Sequence, residues 1–121
     1  SEYFLGSVVS YANSVKTGVL EVDEETLLQH GAVSSQCVAQ MAEGVRKLTG
    51  SDFSIATSGI AGPGGGSEEK PVGLVWIGVS SEKGTETFKM VFRNDRKRNI
   101  ERFASSALNK LREKLVNELK Y

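Results

Sequence analysis

The sequence predicts an α/β domain with three layers (α/β/α), in which helices cover both faces of a mixed, mainly parallel sheet. Segments rich in β-branched and aromatic residues alternate with segments whose apolar residues recur at helical spacing. The first and third predicted strands are apolar at both odd and even positions, which is typical of strands buried on both faces. A short polar turn separates the last two strands, so one antiparallel hairpin is expected within the sheet.

Eight elements are predicted in chain order. Asp23 and Ser34 have side chains that can accept a hydrogen bond from a first-turn N–H group, and Gly31 and Gly50 are typical of helix ends. The last helix carries the longest stripe of apolar residues. The predicted elements are a strand at residues 4–11, one or two helical turns within 13–20, a helix from 23 to 31, a helix from 34 or 35 to 50, strands at 53–57, 72–80 and 85–93, and a helix from 94 or 95 onward.

The composition is that of one globular domain. A chain of 121 residues is too short for two ordinary domains. With 39% hydrophobic and 25% charged residues, it is also too apolar for a disordered chain. No apolar run approaches the ~20 residues that cross a bilayer, so no membrane partner is expected. Fifteen basic and 15 acidic side chains cancel, and this balance argues against nucleic acid as a partner.

Cysteine content and the first residues predict a cytoplasmic protein. The single cysteine, Cys37, excludes an intrachain disulfide and is typical of a reducing compartment. The first residues do not have the pattern of a secretory leader. The chain starts without methionine and enters a strand-like segment at once, so we expect a single domain over residues 1–121 that is incomplete at its N-terminus.

Cys37 and His30 are expected to be structural. Cys37 lies one helical turn before Met41 and is predicted to be a packed thiol, although its place near a helix start leaves reactivity as an alternative. His30 lies in the last turn of a short helix, where a histidine can satisfy terminal carbonyl groups. With one histidine and one cysteine, the sequence predicts no metal site.

Residues 57–73, the glycine-rich segment, are the candidate ligand-binding loop. The segment combines a concentration of glycine with both prolines of the chain. It matches neither the phosphate loop of ATPases nor the G-x-G-x-x-G pattern of dinucleotide-binding folds. Its exposed N–H groups can bind a phosphate, a carboxylate or a developing oxyanion, and the alternative is a flexible connector. The candidate binding residues are Thr57, Ser58, Gly59, Ala61, Gly62, Gly64 and Gly65.

Tyr11 and Lys16 are the candidate catalytic pair. Tyr11 stands at the carboxyl end of the first predicted strand, the end at which α/β sheets bind ligands. Lys16 follows across a predicted strand-to-helix junction, where both side chains can converge. A desolvated lysine can act as a base, and a tyrosine can relay a proton or donate to an oxyanion. The alternative is a packing tyrosine and a surface lysine.

The last helix begins with basic residues, among them Arg96 and Arg102. Positive charge at a helix N-terminus opposes the helix dipole. We therefore expect these arginines to meet an anion such as a phosphate, and the alternative is a solvated basic patch.

The glycine-rich segment, TSGIAGPGGGSEEKPVG, resembles the signature S-G-I-A-G-P-x-G-G-(S/T)-x-x-K-P-V-G of the CinA C-terminal domain family. Members of this bacterial family are nicotinamide-nucleotide amidases and are also called competence/damage-inducible proteins. The resemblance covers nearly the whole chain. It includes residues 6–11 with Lys16, residues 30–34, and the pair Asp95 and Arg96 at the start of the last helix.

The resemblance implies a hydrolase of pyridine nucleotide salvage. Its reaction converts the carboxamide of nicotinamide mononucleotide, the small-molecule partner, to nicotinic acid mononucleotide and ammonia without a metal or cofactor. The family nucleophile is a serine in a T-x-E-S-x-T-G-G segment, and a tyrosine and a lysine stand where Tyr11 and Lys16 lie here. The resemblance therefore implies that Lys16 takes the serine proton and that Tyr11 orients or relays it. From their charge, we expect Arg96 or Arg102 to bind the 5′-phosphate.

This chain departs from the family pattern because it has no T-x-E-S-x-T-G-G segment. We expect residues 1–121 alone to be inactive, with the serine supplied from outside this sequence. Two other functions remain open. One is a noncatalytic nucleotide-binding or regulatory module of a competence/damage-inducible protein, and the other is a homodimer formed through the last helix and the apolar sheet.

Overall fold

The fold is built from four helices and three strands. A computed structural model describes residues 2–119 of the chain. The elements are α1 (Asn13–Gly18), α2 (Glu24–His30), α3 (Ser35–Thr49), β1 (Phe53–Gly59), β2 (Leu74–Ser81), β3 (Gly84–Val91) and α4 (Arg96–Leu119). We call residues 60–73, which connect β1 to β2, the glycine loop.

Capping residues set the ends of the long helices where the sequence predicts them. The Cys37 N–H donates to the Ser34 hydroxyl at 3.1 Å and begins α3. Gly50 ends α3 in a left-handed conformation with φ 70° and ψ 20°. The Arg98 N–H donates to the Asp95 carboxylate at 2.9 Å in the first turn of α4. The predicted limits of α3 and the predicted start of α4 are confirmed. These ends could be predicted because each depends on hydrogen bonds between a few neighbouring residues.

The three strands form one antiparallel sheet in the order β1-β2-β3. Ile55 pairs with Val79 across β1 and β2, and Ile77 pairs with Phe88 across β2 and β3. The prediction of a mixed, mainly parallel sheet is wrong. Parallel neighbours need a crossover connection, usually a helix, but β1 and β2 are joined directly by the glycine loop, and β2 and β3 by a tight turn. The predicted hairpin of β2 and β3 is confirmed.

Residues 4–11 do not form the predicted strand. They have no regular secondary structure and most of them are exposed, Val9 to 74% and Tyr11 to 90%. They also pair with none of the three strands. Their aromatic and β-branched content favours a strand only where a neighbouring strand supplies hydrogen bonds and packing, since strand propensity depends on that context.

Helices pack on both faces of the sheet through two separate apolar clusters. The first cluster joins α3 to one face and includes Val38, Met41 and Ala56. The second joins α4 to the other face and includes Ile77 and Phe103. Every residue of β2 except Trp76 is fully buried, which confirms the prediction of a central strand covered on both faces.

Only part of the apolar stripe of α4 is packed. Phe103 and Ala107 are buried, whereas Ile100, Leu108 and Leu119 are 46%, 60% and 48% exposed. Among the described residues, no helix is both long and apolar enough to cross a membrane.

Candidate functional site

A cavity of about 1140 Å³ lies between the N-terminal segment, β1 and the C-terminal half of α4. Tyr11, Lys16, Thr57, Ser58 and Gly59 all line it. The structure therefore brings the two candidate catalytic residues to the same cavity as the end of β1. The other candidate binding residues, in the glycine loop and on α4, do not line this cavity.

Lys16 is a buried lysine in the last turn of α1, with only 6% of its side chain exposed. Its ammonium donates to the Ser10 carbonyl at 2.5 Å, so the chain bends back over the helix that carries it. Burying a charged group is unfavourable unless hydrogen bonds or opposite charges compensate. The Ser10 carbonyl supplies one hydrogen bond, and the rest of the ammonium's bonding capacity is left for a group in the cavity.

Tyr11 is on the same cavity wall but is 90% exposed. No hydrogen bond joins its hydroxyl to Lys16 or to any other group within residues 2–119. Tyr11 therefore has the freedom to orient towards a ligand, while Lys16 is held in place.

The glycine loop is closed at its base by backbone hydrogen bonds. The Ile60 N–H donates to the Leu74 carbonyl at 2.8 Å, and the Gly73 N–H donates to the Ile60 carbonyl at 2.6 Å. Gly62 has φ 90°, and a β-carbon there would lie 2.4 Å from a methyl group of Val72. Only glycine fits this position without strain. The following peptide bond, between Gly62 and Pro63, is cis.

Several N–H groups of the glycine loop have no acceptor among residues 2–119. An anion can bind such groups because successive amides in a turn form a positively polarised concavity. Between Ile60 and Ser67, the amides without an acceptor belong to Ala61, Gly62, Gly64, Gly65 and Gly66.

The N-terminal turns of α4 reach the glycine loop through Arg96 and Asn99. The Arg96 guanidinium donates to the Gly62 carbonyl at 2.9 Å, and the Asn99 amide donates to the Ala61 carbonyl at 2.9 Å. The exposed Arg102 has no hydrogen bond or ion pair from its guanidinium within the described part of the chain. The structure therefore places Arg96, and not Arg102, in contact with the loop.

Asn99 is a site residue that the sequence reasoning missed. It is 0% exposed, and it lies four residues before Phe103 on the buried face of α4. A signal was present in the sequence, since a polar residue occupies a position in phase with Phe103 and Ala107. A polar residue on an apolar helix face needs a buried partner, and here that partner is the glycine loop.

Lys70, at the far end of the glycine loop, donates to the His30 carbonyl at 2.6 Å. Lys70, and not the exposed His30 side chain, therefore satisfies this terminal carbonyl of α2.

Cys37 is 0% exposed, and its prediction as a packed thiol is confirmed. Burial raises the pKa of Cys37, and the charges of Lys16 and Lys70 offset part of that rise.

Comparison with known proteins decides the family. The model of the CinA C-terminal domain matches residues 1–115 of the chain. The chain belongs to the CinA C-terminal domain family. The resemblance identified from the glycine-rich segment is thereby confirmed.

CinA relatives of known sequence are about half identical to the chain. A CinA-like protein of Salinibacter ruber is 50% identical over 115 residues, which are 95% of this chain and 28% of that protein. A CinA-like protein of Endomicrobium trichonymphae is 50% identical over 121 residues, which are 100% of this chain and 28% of that protein. The chain thus spans just over a quarter of the length of these curated relatives.

Solved CinA structures share the fold. The competence damage-inducible protein A of Klebsiella pneumoniae is 41% identical, with a TM-score of 0.85 over 90% of this chain and 68% of that chain. The competence/damage inducible protein CihA of Agrobacterium tumefaciens is also 41% identical, with a TM-score of 0.79 over 85% of this chain and 64% of that chain.

Proposed function

We propose that the cavity is part of the active site of a nicotinamide-nucleotide amidase, which hydrolyses nicotinamide mononucleotide to nicotinic acid mononucleotide and ammonia. Membership of the CinA C-terminal domain family supports this proposal. The observation that carries it is the buried Lys16, which lines one cavity with Tyr11 and the end of β1. A lysine in such surroundings is suited to accept and return a proton.

The proposed reaction has two steps and needs a serine from outside residues 1–121. The serine oxygen attacks the carboxamide carbon while its proton passes to the side-chain nitrogen of Lys16, which acts as the base. The carbon–nitrogen bond then breaks, and ammonia leaves with that proton. Water attacks the resulting ester, the carboxylate is released, and the serine recovers a proton through Lys16. Tyr11, which also lines the cavity, orients or relays the proton.

In this proposal, the glycine loop binds the negatively charged 5′-phosphate of the nucleotide. Its unpaired amides lie beside Arg96, which already contacts the loop at the Gly62 carbonyl. A guanidinium has five N–H donors, so Arg96 retains donors for the 5′-phosphate of the nucleotide. Arg96 is therefore better placed as the phosphate ligand than Arg102.

Substitution of Lys16 tests the amidase directly. We expect Lys16→Ala in the full-length protein to slow ammonia release from nicotinamide mononucleotide by roughly 10²- to 10⁴-fold, since that is the usual contribution of a general base. Ammonia is measured by a coupled enzymatic assay. Lys47→Ala is the matched control, because Lys47 is 74% exposed and its one ion pair in the described part of the chain is with Glu21 on the surface. Unchanged turnover in Lys16→Ala would remove Lys16 from the mechanism.

A noncatalytic nucleotide-binding module is the second candidate function. One observation favours it: the glycine loop has amides without an acceptor among residues 2–119, beside Arg96, and these can bind an anion without any nucleophile. The two functions separate in one experiment on the full-length protein. An amidase both binds nicotinamide mononucleotide and releases ammonia from it, whereas a binding module gives a calorimetric binding signal and no ammonia.

A further inference from the structure

The glycine loop is held from behind by the buried side chain of Asn99. The Asn99 amide nitrogen donates to the Ala61 carbonyl at 2.9 Å and to the Asn94 carbonyl at 3.0 Å. Its amide oxygen accepts from the Asn94 N–H at 3.2 Å. Both N–H donors and the oxygen are thus used, in a side chain that is 0% exposed. A buried amide with full hydrogen bonding fixes its partners in position, because breaking any one bond leaves a buried polar group unsatisfied.

These bonds set the direction of the unpaired amides. The carbonyl of a trans peptide points opposite to the N–H of the same peptide. Because the Ala61 carbonyl is turned towards Asn99, the Gly62 N–H is turned away from α4. The Ile60 carbonyl accepts from Gly73, so the Ala61 N–H is likewise turned away from Gly73. Neither of these two N–H groups has an acceptor among residues 2–119.

We infer that Asn99 is a positioning residue that fixes the peptide between Ala61 and Gly62, so that the Gly62 N–H faces the phosphate of a bound nucleotide. Asn99 is buried behind the glycine loop and touches no ligand itself. Arg96 makes the neighbouring bond to the Gly62 carbonyl and retains further N–H donors. This inference rests on the proposed nucleotide site.

Two substitutions of Asn99 test the inference in the full-length protein. Asn99→Ala removes all three hydrogen bonds, and Asn99→Asp keeps the shape but cannot donate to the Ala61 carbonyl. We expect each to raise the calorimetric Kd of nicotinamide mononucleotide about tenfold, the effect of losing one buried hydrogen bond. Asn109→Ala is the control, because Asn109 is exposed on the same helix and, among the described residues, its side chain bonds only to Glu113 and Arg112. The control is expected to bind like the unsubstituted protein.

A second ligand separates positioning from a general loss of structure. Nicotinamide riboside lacks the phosphate, so its Kd is expected to be the same in Asn99→Ala and in the unsubstituted protein. Equal weakening of both ligands, or unchanged binding of the mononucleotide, would overturn the inference. Hydrogen exchange gives an independent readout, with faster exchange in residues 60–73 and unchanged exchange in α3.

The unsubstituted protein provides a test that does not depend on the variants folding. Inorganic phosphate, followed by amide NMR, is expected to shift the Gly62 and Ala61 resonances first, and an absence of shift at both contradicts the inference.

The failure of the amidase proposal can be distinguished from the failure of this inference. If binding depends on the phosphate and on Asn99 but no ammonia is released, the amidase proposal is wrong and the inference about Asn99 stands. If ammonia is released and Asn99→Ala binds the mononucleotide with normal affinity, the inference is wrong and the amidase proposal stands.

Discussion

Lys114 illustrates how a single buried charge is made compatible with the core. Its side chain is 8% exposed and pairs with Glu118 at 2.8 Å and with Glu86 at 3.0 Å. Burial disfavours its charged form, but the hydrogen bonds with Glu118 and Glu86 outweigh that effect and raise the pKa of Lys114. The hydrogen bonds from Lys114 and from Ser81 lower the pKa of Glu118 below its ordinary value of 4.5. This group of charges fastens the end of α4 to β2 and β3.

Glu118→Gln is expected to make the stability of the chain less dependent on pH. A carboxyl group whose pKa is lowered in the folded state contributes stability above its unfolded pKa, and that stability is lost as the pH falls through the folded value. The urea midpoint of the unsubstituted chain is thus expected to exceed that of Glu118→Gln near pH 7. The difference should shrink as the pH is lowered from about 6 to about 2.

Glu113→Gln is the control for this titration, because Glu113 is 44% exposed on the same helix and its one ion pair within residues 2–119 is with Lys110. Exposed pairs of this kind contribute little. A difference between the Glu118→Gln and unsubstituted chains that does not change with pH would contradict the assigned role of Glu118.

At the level of elements, the contact between α3 and β2 depends on a residue without a side chain. A β-carbon at Gly78 would lie 2.4 Å from the Val38 carbonyl oxygen, so the helix backbone rests directly on the strand. Close approach of this kind lets Val38 and Ala42 become fully buried on that face. The sequence shows an isolated glycine within the strand, but it does not show which backbone approaches there.

Gly78→Ala is expected to lower the free energy of unfolding by about 1–3 kcal/mol, the usual effect of overpacking a core. Urea unfolding measures it. Gly18→Ala serves as the control, since a β-carbon there meets no atom within 4 Å. Equal stability of Gly78→Ala and the unsubstituted chain would mean that α3 can move away from β2 at no cost.

Helix caps, the hairpin and the buried strand could be predicted because each depends on a few neighbouring residues or on one hydrophobic pattern. Strand direction could not be predicted that way. The expectation of a mainly parallel sheet rested on strands alternating with helices, and residues 4–11 do not form the first strand of that alternation because they lack a partner strand. Lys16 and Tyr11 were found through the strand-to-helix junction and the family resemblance, and both line the cavity. Asn99 was missed because its partner, Ala61, is 38 residues away.

For the whole molecule, the sheet separates two apolar clusters that share no residue. Val38 belongs to the cluster under α3, and Phe103 belongs to the cluster under α4. Each cluster is closed by its own helix, so we expect the two halves of the core to contribute to stability independently.

Double substitutions test this independence. The unfolding free energies lost in Val38→Ala and Phe103→Leu are expected to add within about 0.5 kcal/mol, as for distant sites. The comparison pair is Phe92→Leu with Phe103→Leu. The ring centroids of Phe92 and Phe103 lie 6.2 Å apart within one cluster. That pair is expected to show a coupling of about 0.5–1.5 kcal/mol. Strong coupling between Val38 and Phe103 would show that the sheet transmits strain from one face to the other.

The antiparallel order β1-β2-β3 has a consequence for the route of folding. Strand neighbours in the sheet are also neighbours in the chain, so no strand has to be inserted between two others. The two-residue turn between Ser81 and Gly84 lets β2 and β3 pair first, because short loops lose the least entropy on closure. We expect strand β1 to join later, since it must first close the longer glycine loop. The candidate ligand-binding loop is then expected to assemble on an existing hairpin and to take its final shape when α4 docks.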